Sequence, residues 1–347
     1  MMRTIRAFIP PFSRIIKNRE FPSNFSWLFA CFAIMVCLGG PVGAQQDFQL
    51  WLNPRLNDFQ FQGELDGAFY GEEDVEEQEE ELEASRYDGR LQLKLGGTEN
   101  SEWLAELGVK GWSFNTDAVF DESGRDLPDD LADVSLGVTY RRFLDNHWLF
   151  GQSLRFGSAS DEPFDSIKEL YLEGTTFLRI PSGRSNAWLL FLNFDTDRQI
   201  PVLPGAAFQY MLAENLSTVF GVPIAAVFWK PDETVSLDVV YFPVKNLSAT
   251  IRYKPVERWT FSLGYKWDQE FYRREDRDEW DDRIELEEQR VKLTAAYQVT
   301  DKVSLAVNGG YAFSRRMGEG NDYDDLSNND IDLEDGWFAG ARVKFRY

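Results

Sequence analysis

The sequence predicts an all-β protein: a closed antiparallel transmembrane β-barrel of about 14–16 strands. Three observations lead to this prediction. Many segments alternate between apolar and polar side chains, which is the strand period because successive side chains point to opposite faces of a sheet. Aromatic residues fall mainly at the ends of the apolar rows, and long and short connections alternate along the chain. Both features are typical of outer-membrane barrels.

In chain order, the clearest alternation lies at 134–140, 187–194, 235–241, 247–253, 258–267, 290–299 and 302–313. The side opposite each apolar row is small and polar. Such a face suits a wet lumen better than the core of a soluble sandwich. After Gln45 no segment shows a convincing amphipathic helical pattern.

The closing segment, 336–347, alternates without interruption and ends on an aromatic residue. On its own it also fits an edge strand of a soluble sandwich. In a closed barrel, however, the last strand pairs with the first and leaves no edge in lipid. Phe345 and the terminal Tyr347 resemble the sorting signal read by the barrel-assembly machinery of Gram-negative outer membranes, which makes that machinery an expected partner.

The connections predict the topology. Long connections are expected at 71–87, 113–130, 157–166, 273–283 and 317–334, and tight turns at 97–101, 142–147, 254–258 and 299–302. Between residues 213 and 258 the turns are short on both sides. A single strand over 216–229 would give an odd strand count, whereas a break at Gly221-Val222-Pro223 restores an even one. Proline favours the break because it has no N–H for a central ladder.

The composition excludes several classes of protein. The 347 residues carry 58 acidic and 36 basic side chains, a net charge of -22. This charge argues against nucleic-acid binding, which needs a basic surface. Aromatic residues make up 15% of the chain, too many for a disordered acidic protein. The mean hydropathy of -0.39 argues against a helical membrane protein.

Residues 1–44 are predicted to be a cleaved secretory signal peptide. A basic start is followed by the apolar run Trp27–Leu38 and by small residues ending at Ala44. The apolar run is shorter than the roughly 20 residues that a transmembrane helix needs. Both cysteines, Cys31 and Cys37, lie in this segment. The predicted barrel therefore occupies 45–347, without disulfides, in the bacterial outer membrane with lipid around it.

Two segments, FWKPDETVSLDVVYFP (Phe228–Pro243) and GYAFSRRM (Gly310–Met317), together with the closing strand, resemble an uncharacterised family of bacterial outer-membrane barrels. The family is known only as a domain of unknown function. The resemblance covers most of 45–347 and implies the fold and the membrane. It implies no activity and no site residues.

The inward-facing rows carry the candidate pore residues. We expect acids mainly on the N-terminal strands and bases on the C-terminal strands. Lys94, Lys110 and Arg155 make the separation partial. One interpretation is a set of cross-lumen ion pairs that fill a narrow barrel, and the other is a transverse field in a water-filled pore. The bases are Arg252, Lys254, Lys266, Arg290, Lys292, Arg316, Arg342, Lys344 and Arg346, and the acids are Glu64, Asp66, Glu102, Glu106, Asp133, Glu169 and Glu173.

The acidic runs 71–83 and 321–336, with nine and seven carboxylates, are expected to be solvated extracellular loops. The alternative is that they collect divalent cations such as calcium or magnesium. The chain has one histidine, His147, and no cysteine after residue 44, so a zinc site is not expected. No cofactor is expected.

The function predicted from these features is a passive, porin-like channel for small hydrophilic solutes. The alternative is a non-conducting structural or surface-binding barrel. A lipolytic enzyme ranks third. Its histidine would be His147, near Asp145 and Ser153, but the topology puts His147 in a periplasmic turn, away from the outer leaflet. We therefore expect no enzyme.

Overall fold

The computed structural model describes residues 48–347 except 49, 54, 77, 184, 198–200, 243–245, 278–281 and 322–328. The predicted signal peptide lies outside the described residues. A helical turn near residue 50 precedes the first strand. Within the described ranges no helix combines the length and the apolar character needed to cross a membrane.

Apart from the connections and one 3-10 helix, Ile167–Glu169, most of the rest of the described chain lies in strands. They are β1 Phe61–Asp74, β2 Glu81–Thr98, β3 Ser101–Asn115, β4 Asp130–Phe143, β5 Leu149–Ser160, β6 Leu170–Ser182, β7 Asn186–Asp195, β8 Val202–Ala213, β9 Leu216–Val222, β10 Ala225–Trp229, β11 Val235–Phe242, β12 Asn246–Val256, β13 Trp259–Tyr272, β14 Arg283–Thr300, β15 Val303–Gly320, β16 Asp330–Leu333 and β17 Gly336–Arg346.

The sheet closes on itself. Apart from β16 and β17, consecutive strands pair antiparallel, and β17 pairs with β1 from Tyr70↔Phe338 to Gln62↔Arg346. Both β16 and β17 pair with β15, one after the other, so together they fill one position of the barrel. The result is a closed barrel of 16 strand positions. The predicted fold class, the even count and the break at Gly221-Val222-Pro223 are therefore confirmed.

The two faces of the sheet differ as the alternation predicts. The outer face carries large apolar side chains that water would disfavour, such as Val307 and Trp337, which are 65% and 74% exposed. Aromatic pairs lie towards its ends, including Trp103–Tyr140 at 4.5 Å and Trp259–Tyr297 at 5.0 Å between ring centroids. An apolar band with aromatic girdles is the lipid-facing surface of a transmembrane barrel.

The two ends of the barrel also differ. Tight turns at 99–100, 214–215, 257–258 and 301–302 lie at one end. The longer connections, which include 116–129, 161–169 and those that follow β13 and β15, leave from the other. Outer-membrane barrels place their long loops outside the cell. The acidic run 71–83 was expected to be a loop, but much of it lies in β1 and β2. There Asp74 still pairs with Glu81, because the backbone ladder continues past the membrane.

The closing strand gives the first prediction. Removing Tyr347 deletes three backbone hydrogen bonds, one from Tyr347 N to Phe61 O at 2.7 Å and two accepted by Tyr347 O from Gln60 and Phe61. Phe345→Asp puts a charge on the lipid face, which costs about 2–4 kcal/mol at the midplane and less near the interface. We expect both variants to reduce the fraction of protein that resists heat and SDS.

Ser123→Asp, in the extracellular connection 116–129, serves as the control for added charge. Equal yields of the heat-resistant form in Ser123→Asp and in both closing-strand variants would show that β17 does not control assembly.

Sidedness gives the second prediction. Trypsin added to intact cells should cut in the long connections, at the exposed Lys168 or at Arg277. It should spare Lys230, Arg258 and Lys302 in the tight turns until the outer membrane is permeabilised. Mass spectrometry of the fragments identifies the sites. Early cleavage at the three turn residues would show that the tight turns face the outside of the cell and that the predicted orientation is wrong.

A candidate pore and its N-terminal segment

The lumen has a polar side and an apolar side. Inward charged and small side chains are concentrated on β12–β17 and β1–β6. The buried Leu, Phe, Val and Ala side chains of the apolar side lie on β5–β11, so β5 and β6 carry both kinds. The polar side contains two cavities. The apolar side is covered by residues that precede the barrel.

The upper cavity, of about 100 Å³, lies along β2–β7. It exists because small residues, Gly108 and Ser135 among them, occupy inward positions of β3 and β4. Ionisable side chains surround this space. They are Asp88, Arg90, Glu106, Lys110, Asp133, Arg155, Tyr171, Glu173, Asp195 and Asp197.

A chain of ion pairs crosses the floor of this cavity. Arg90 Nε donates to Glu106 Oε2 at 2.7 Å, and Arg155 Nη2 donates to Glu106 Oε1 at 3.0 Å. Arg155 also pairs with Glu173. Gly137 lies between Glu106 and Arg155 in the ladder, and its lack of a side chain leaves room for their contact.

The lower cavity, of about 400 Å³, lies at the tight-turn end and is lined by both charged and amide side chains. They include Gln62, Glu64, Gln92, Lys344 and Arg346. Arg90 lines both cavities. A polar column therefore runs from the turn end to Arg90 and continues beyond it, interrupted by the Arg90–Glu106–Arg155 chain.

Most of the predicted pore residues are on the wall and are paired. Glu106 and Glu173 line the upper cavity. The bases pair with acids: Arg252 with Asp238, Lys266 with Asp268, Arg290 with Glu288 at 2.8 Å, Lys292 with Asp66 at 3.8 Å, Arg342 with Glu64 at 3.3 Å, Lys344 with Glu64 at 2.7 Å and Arg346 with Asp58. The sequence predicted acids on the N-terminal strands and bases on the C-terminal strands, with a field across the lumen. Closure instead places the acids of β1 directly beside the bases of β17.

Arg316 does not face the lumen as predicted. Its guanidinium lies 3.3 Å from Asp330 and 3.8 Å from Glu287, and Glu287 accepts a hydrogen bond from the outward Trp267. The cause is a slip of the β14–β15 register beside Ser314, whose φ is 49°. The slip turns Arg315 inward and Arg316 outward.

Glu169 was also misplaced, because it does not belong to a wall strand. It ends a short 3-10 helix, Ile167–Glu169, in the connection before β6. There its buried carboxylate completes a capping box with Ser166.

A buried network above Lys266 and Arg290 was not predicted. Glu270 accepts hydrogen bonds from Arg86 at 2.6 Å, Trp112 at 3.0 Å and Tyr272 at 2.9 Å. Asp268, Glu270 and Glu288 share the inward parity of Lys266 and Arg290, so the same alternation could have identified them. Arg315 could not have been identified in this way, because the register slip hides it.

The described residues between 48 and 58 form a segment inside the barrel, although the sequence assigned them to the barrel itself. The ring centroid of Trp51 lies 5.7 Å from that of Phe177 and 5.0 Å from that of Phe191. The ring of Phe48 contacts Trp51 in a T-shaped arrangement. We call the described residues of 48–58 the inner segment. The wall surface that packs with it is the apolar lumen patch, which comprises Leu149, Phe177, Leu189, Phe191, Ala207, Val219, Ile224, Ala226, Val240 and Phe242.

A fully buried ion pair fixes the inner segment. The side chains of Arg141 on β4 and Glu102 on β3 are both 0% exposed. Arg141 Nε donates to Glu102 at 2.7 Å, while its terminal nitrogens donate to the carbonyls of Leu50 at 2.9 Å and Arg55 at 3.2 Å. Glu102 also accepts from the backbone N–H of Asn57 at 2.8 Å. This anchor joins the wall to the inner segment.

Two other candidate features lie at the ends of the barrel. His147 lies in the turn before β5, with φ 62°, at the tight-turn end. At the extracellular end, Glu162, Asp165 and Glu275 bring one carboxylate oxygen each within 4.8 Å of the others. The charges of Glu162 and Asp165 raise the pKa of Glu275. All three are exposed and lie outside the two acidic runs.

The closed 16-strand barrel, the lipid-facing band and the partly polar lumen define a bacterial outer-membrane β-barrel protein. No protein-family model and no curated protein matches the chain. Several solved outer-membrane barrels resemble it distantly. An outer membrane channel from Pseudomonas putida F1 has a TM-score of 0.39 at 13% identity, over 84% of this chain and 97% of that one. A Pseudomonas aeruginosa FadL homologue has a TM-score of 0.36 at 10% identity, over 83% and 90%.

The buried anchor gives the third prediction. Glu102→Gln leaves Arg141 as a buried charge with a neutral partner, and breaking such a pair typically costs about 3–5 kcal/mol. The matched control is Asp238→Asn, which breaks the exposed pair with Arg252 and should cost less than about 1 kcal/mol. Urea unfolding in phospholipid vesicles measures both. Similar losses of stability would show that the anchor does not hold the structure.

Proposed function

We propose that this barrel is a passive channel for small hydrophilic solutes and that the form described here is its closed state. The observation that carries the proposal is the polar column. Two cavities lined by charged and amide side chains adjoin at Arg90, on the side of the lumen that the inner segment leaves uncovered. A purely structural barrel would need no such column.

The size of the cavities supports passage of small solutes. One water molecule takes up about 30 Å³ in the liquid, so the upper cavity has room for roughly three waters. The lower cavity has four times that volume. The narrow section lies at the Arg90–Glu106–Arg155 chain, which would have to rearrange for a solute to pass.

The narrow section is better suited to rearrangement than the anchor of the inner segment. Side chains of the narrow section keep some contact with solvent, 27% for Arg90 and 13% for Glu106, whereas the anchor has none. Water can therefore replace the hydrogen bonds of Arg90 as they break, which lowers the cost of opening. We propose that Arg90 moves when the channel opens, whereas the Arg141–Glu102 anchor keeps the backbone of Leu50 and Arg55 in place.

A second candidate function, a non-conducting structural or surface-binding barrel, is favoured by the apolar core at the extracellular end. Phe120 and Leu127 of the connection 116–129 pack there against Trp112, Leu131 and other buried side chains of the wall. If this core does not open, the polar column ends below it. Acidic extracellular loops would then carry the function, with divalent cations as expected ligands.

We propose no enzymatic activity and no cofactor. A lipolytic site would require His147 near the outer leaflet, but this residue lies in a turn at the opposite end. The further partners that we propose are lipid and the barrel-assembly machinery, the latter through Phe345 and Tyr347.

The channel gives the fourth prediction. Refolded protein in a planar bilayer should show current steps, and Arg290, Lys292 and Arg342→Gln together should shift the reversal potential towards cations. Their removal leaves Glu64, Asp66 and Glu288 without these partners, in a lumen where low-dielectric walls concentrate the potential. Arg342→Gln alone is the milder variant if the triple change reduces folding.

The matched control changes three exposed acids of the extracellular run, Glu76, Glu79 and Glu80, to Gln. Salt screens such charges within about 8 Å, so their effect on the reversal potential should be smaller. A larger effect from the control would place the selective region at the mouth. Absence of current from correctly folded wild type would favour the structural barrel.

A further inference from the structure

The barrel wall is much lower on one side than on the other. β14 and β15 have 18 residues each, whereas β9, β10 and β11 have 7, 5 and 8. With a rise of about 3.4 Å per residue and a tilt of about 40°, the three short strands span only about 18, 13 and 21 Å along the membrane normal. The apolar band of an outer-membrane barrel is about 25 Å tall.

The short strands therefore end within the outer leaflet. Their tight-turn ends lie near the periplasmic interface, where Trp229 closes β10. At the other end, β9 and β10 are joined by only two residues, Pro223 and Ile224. This low edge is consequently at the depth of lipid acyl chains, not of headgroups.

Directly behind the low edge lies the apolar lumen patch. Ile224 and Phe242, at the upper ends of the short strands, are 1% and 0% exposed and belong to the same cluster as Phe48 and Trp51. On the outer face of the same hairpin, Phe220 points to lipid. Among the residues that the structure describes at this place, side chains and not a continued backbone ladder separate the bilayer from the apolar interior.

We propose that the low edge is a lateral entry site for the acyl chain of a single-chain amphiphile such as a fatty acid. The chain would enter from the outer leaflet and replace Phe48 and Trp51 on the apolar lumen patch. The patch consists of Leu, Phe, Val, Ile and Ala side chains, which match a hydrocarbon chain and offer nothing to a hydrophilic solute. This site is separate from the polar column and does not depend on conduction.

Residues 45–347 contain no cysteine, so a single introduced thiol can report access. Ala226→Cys places one in the apolar lumen patch on β10, beside the low edge. Ala84→Cys is the matched control, because it is an equally buried alanine in an interior apolar cluster but lies on the 18-residue β2. Heat resistance in SDS establishes that both variants are folded.

Proteoliposomes of each variant are treated with a maleimide carrying a 16-carbon chain, dissolved in the bilayer, or with a charged water-soluble maleimide. We expect the lipid-borne reagent to label position 226 at least about tenfold faster than position 84, which is reached only through local opening. Excess palmitate should slow labelling at 226. Trp51→Ala should strengthen this protection, since the competing side chain is gone.

Three results would overturn the proposal. Equal labelling of the two positions by the lipid-borne reagent would mean that the low edge gives no access. If the water-soluble reagent labelled position 226 faster than the lipid-borne reagent, the patch would open to the lumen instead. Labelling that palmitate leaves unchanged would mean that no acyl chain binds. Since none of these measurements uses current, they leave the channel proposal unaffected.

Discussion

The structure depends on the requirement that no backbone N–H or C=O group remains unpaired in lipid. The pairing of β1 with β17 meets this requirement, and the other properties of the wall follow from it. A closed sheet has one inner and one outer face, so every strand must keep the same alternation. Closure also brings Glu64 and Asp66 of β1 next to Arg342 and Lys344 of β17. The charges that face the lumen where β1 meets β17 therefore neutralise one another as a consequence of the topology.

Barrels of 16 strands leave an aqueous channel when their lumen is empty. Here two additions fill much of that space. An apolar core occupies the extracellular end, and the inner segment covers the apolar lumen patch. No described residue of the inner segment belongs to a strand ladder, so its backbone carbonyls need other donors. Arg141 supplies them for Leu50 and Arg55, and Glu102 keeps that charge compensated. Burying the Arg141–Glu102 pair costs free energy of desolvation, and the hydrogen bonds that Arg141 donates to these carbonyls offset part of that cost.

The sequence was sufficient for the wall and insufficient for the interior. Alternation and turn residues are local signals, so strands, turns and the break near Pro223 could be predicted. The ion pairs could not be predicted, because they depend on the register of the strands. Lys292, for example, pairs with Asp66 only because the barrel closes. Arg316 was misplaced by a one-residue slip that no periodic pattern reveals. The inner segment is too short for a period, and Trp51 alone does not show that it enters a lumen. Finding it would have required noting that 48–58 lacks alternation.

The unequal height of the wall gives the two sides of the lumen different surroundings. Near β2 and β14 the ladder rises far beyond the apolar band, and charged side chains such as Glu270 and Arg86 can be stabilised there by one another, away from lipid. Beside β9–β11 the wall ends in the outer leaflet, where an unpaired charge would be costly. The described side chains behind this low edge are accordingly mainly apolar. The separation of a polar column from an apolar patch is therefore the arrangement that a barrel of uneven height requires.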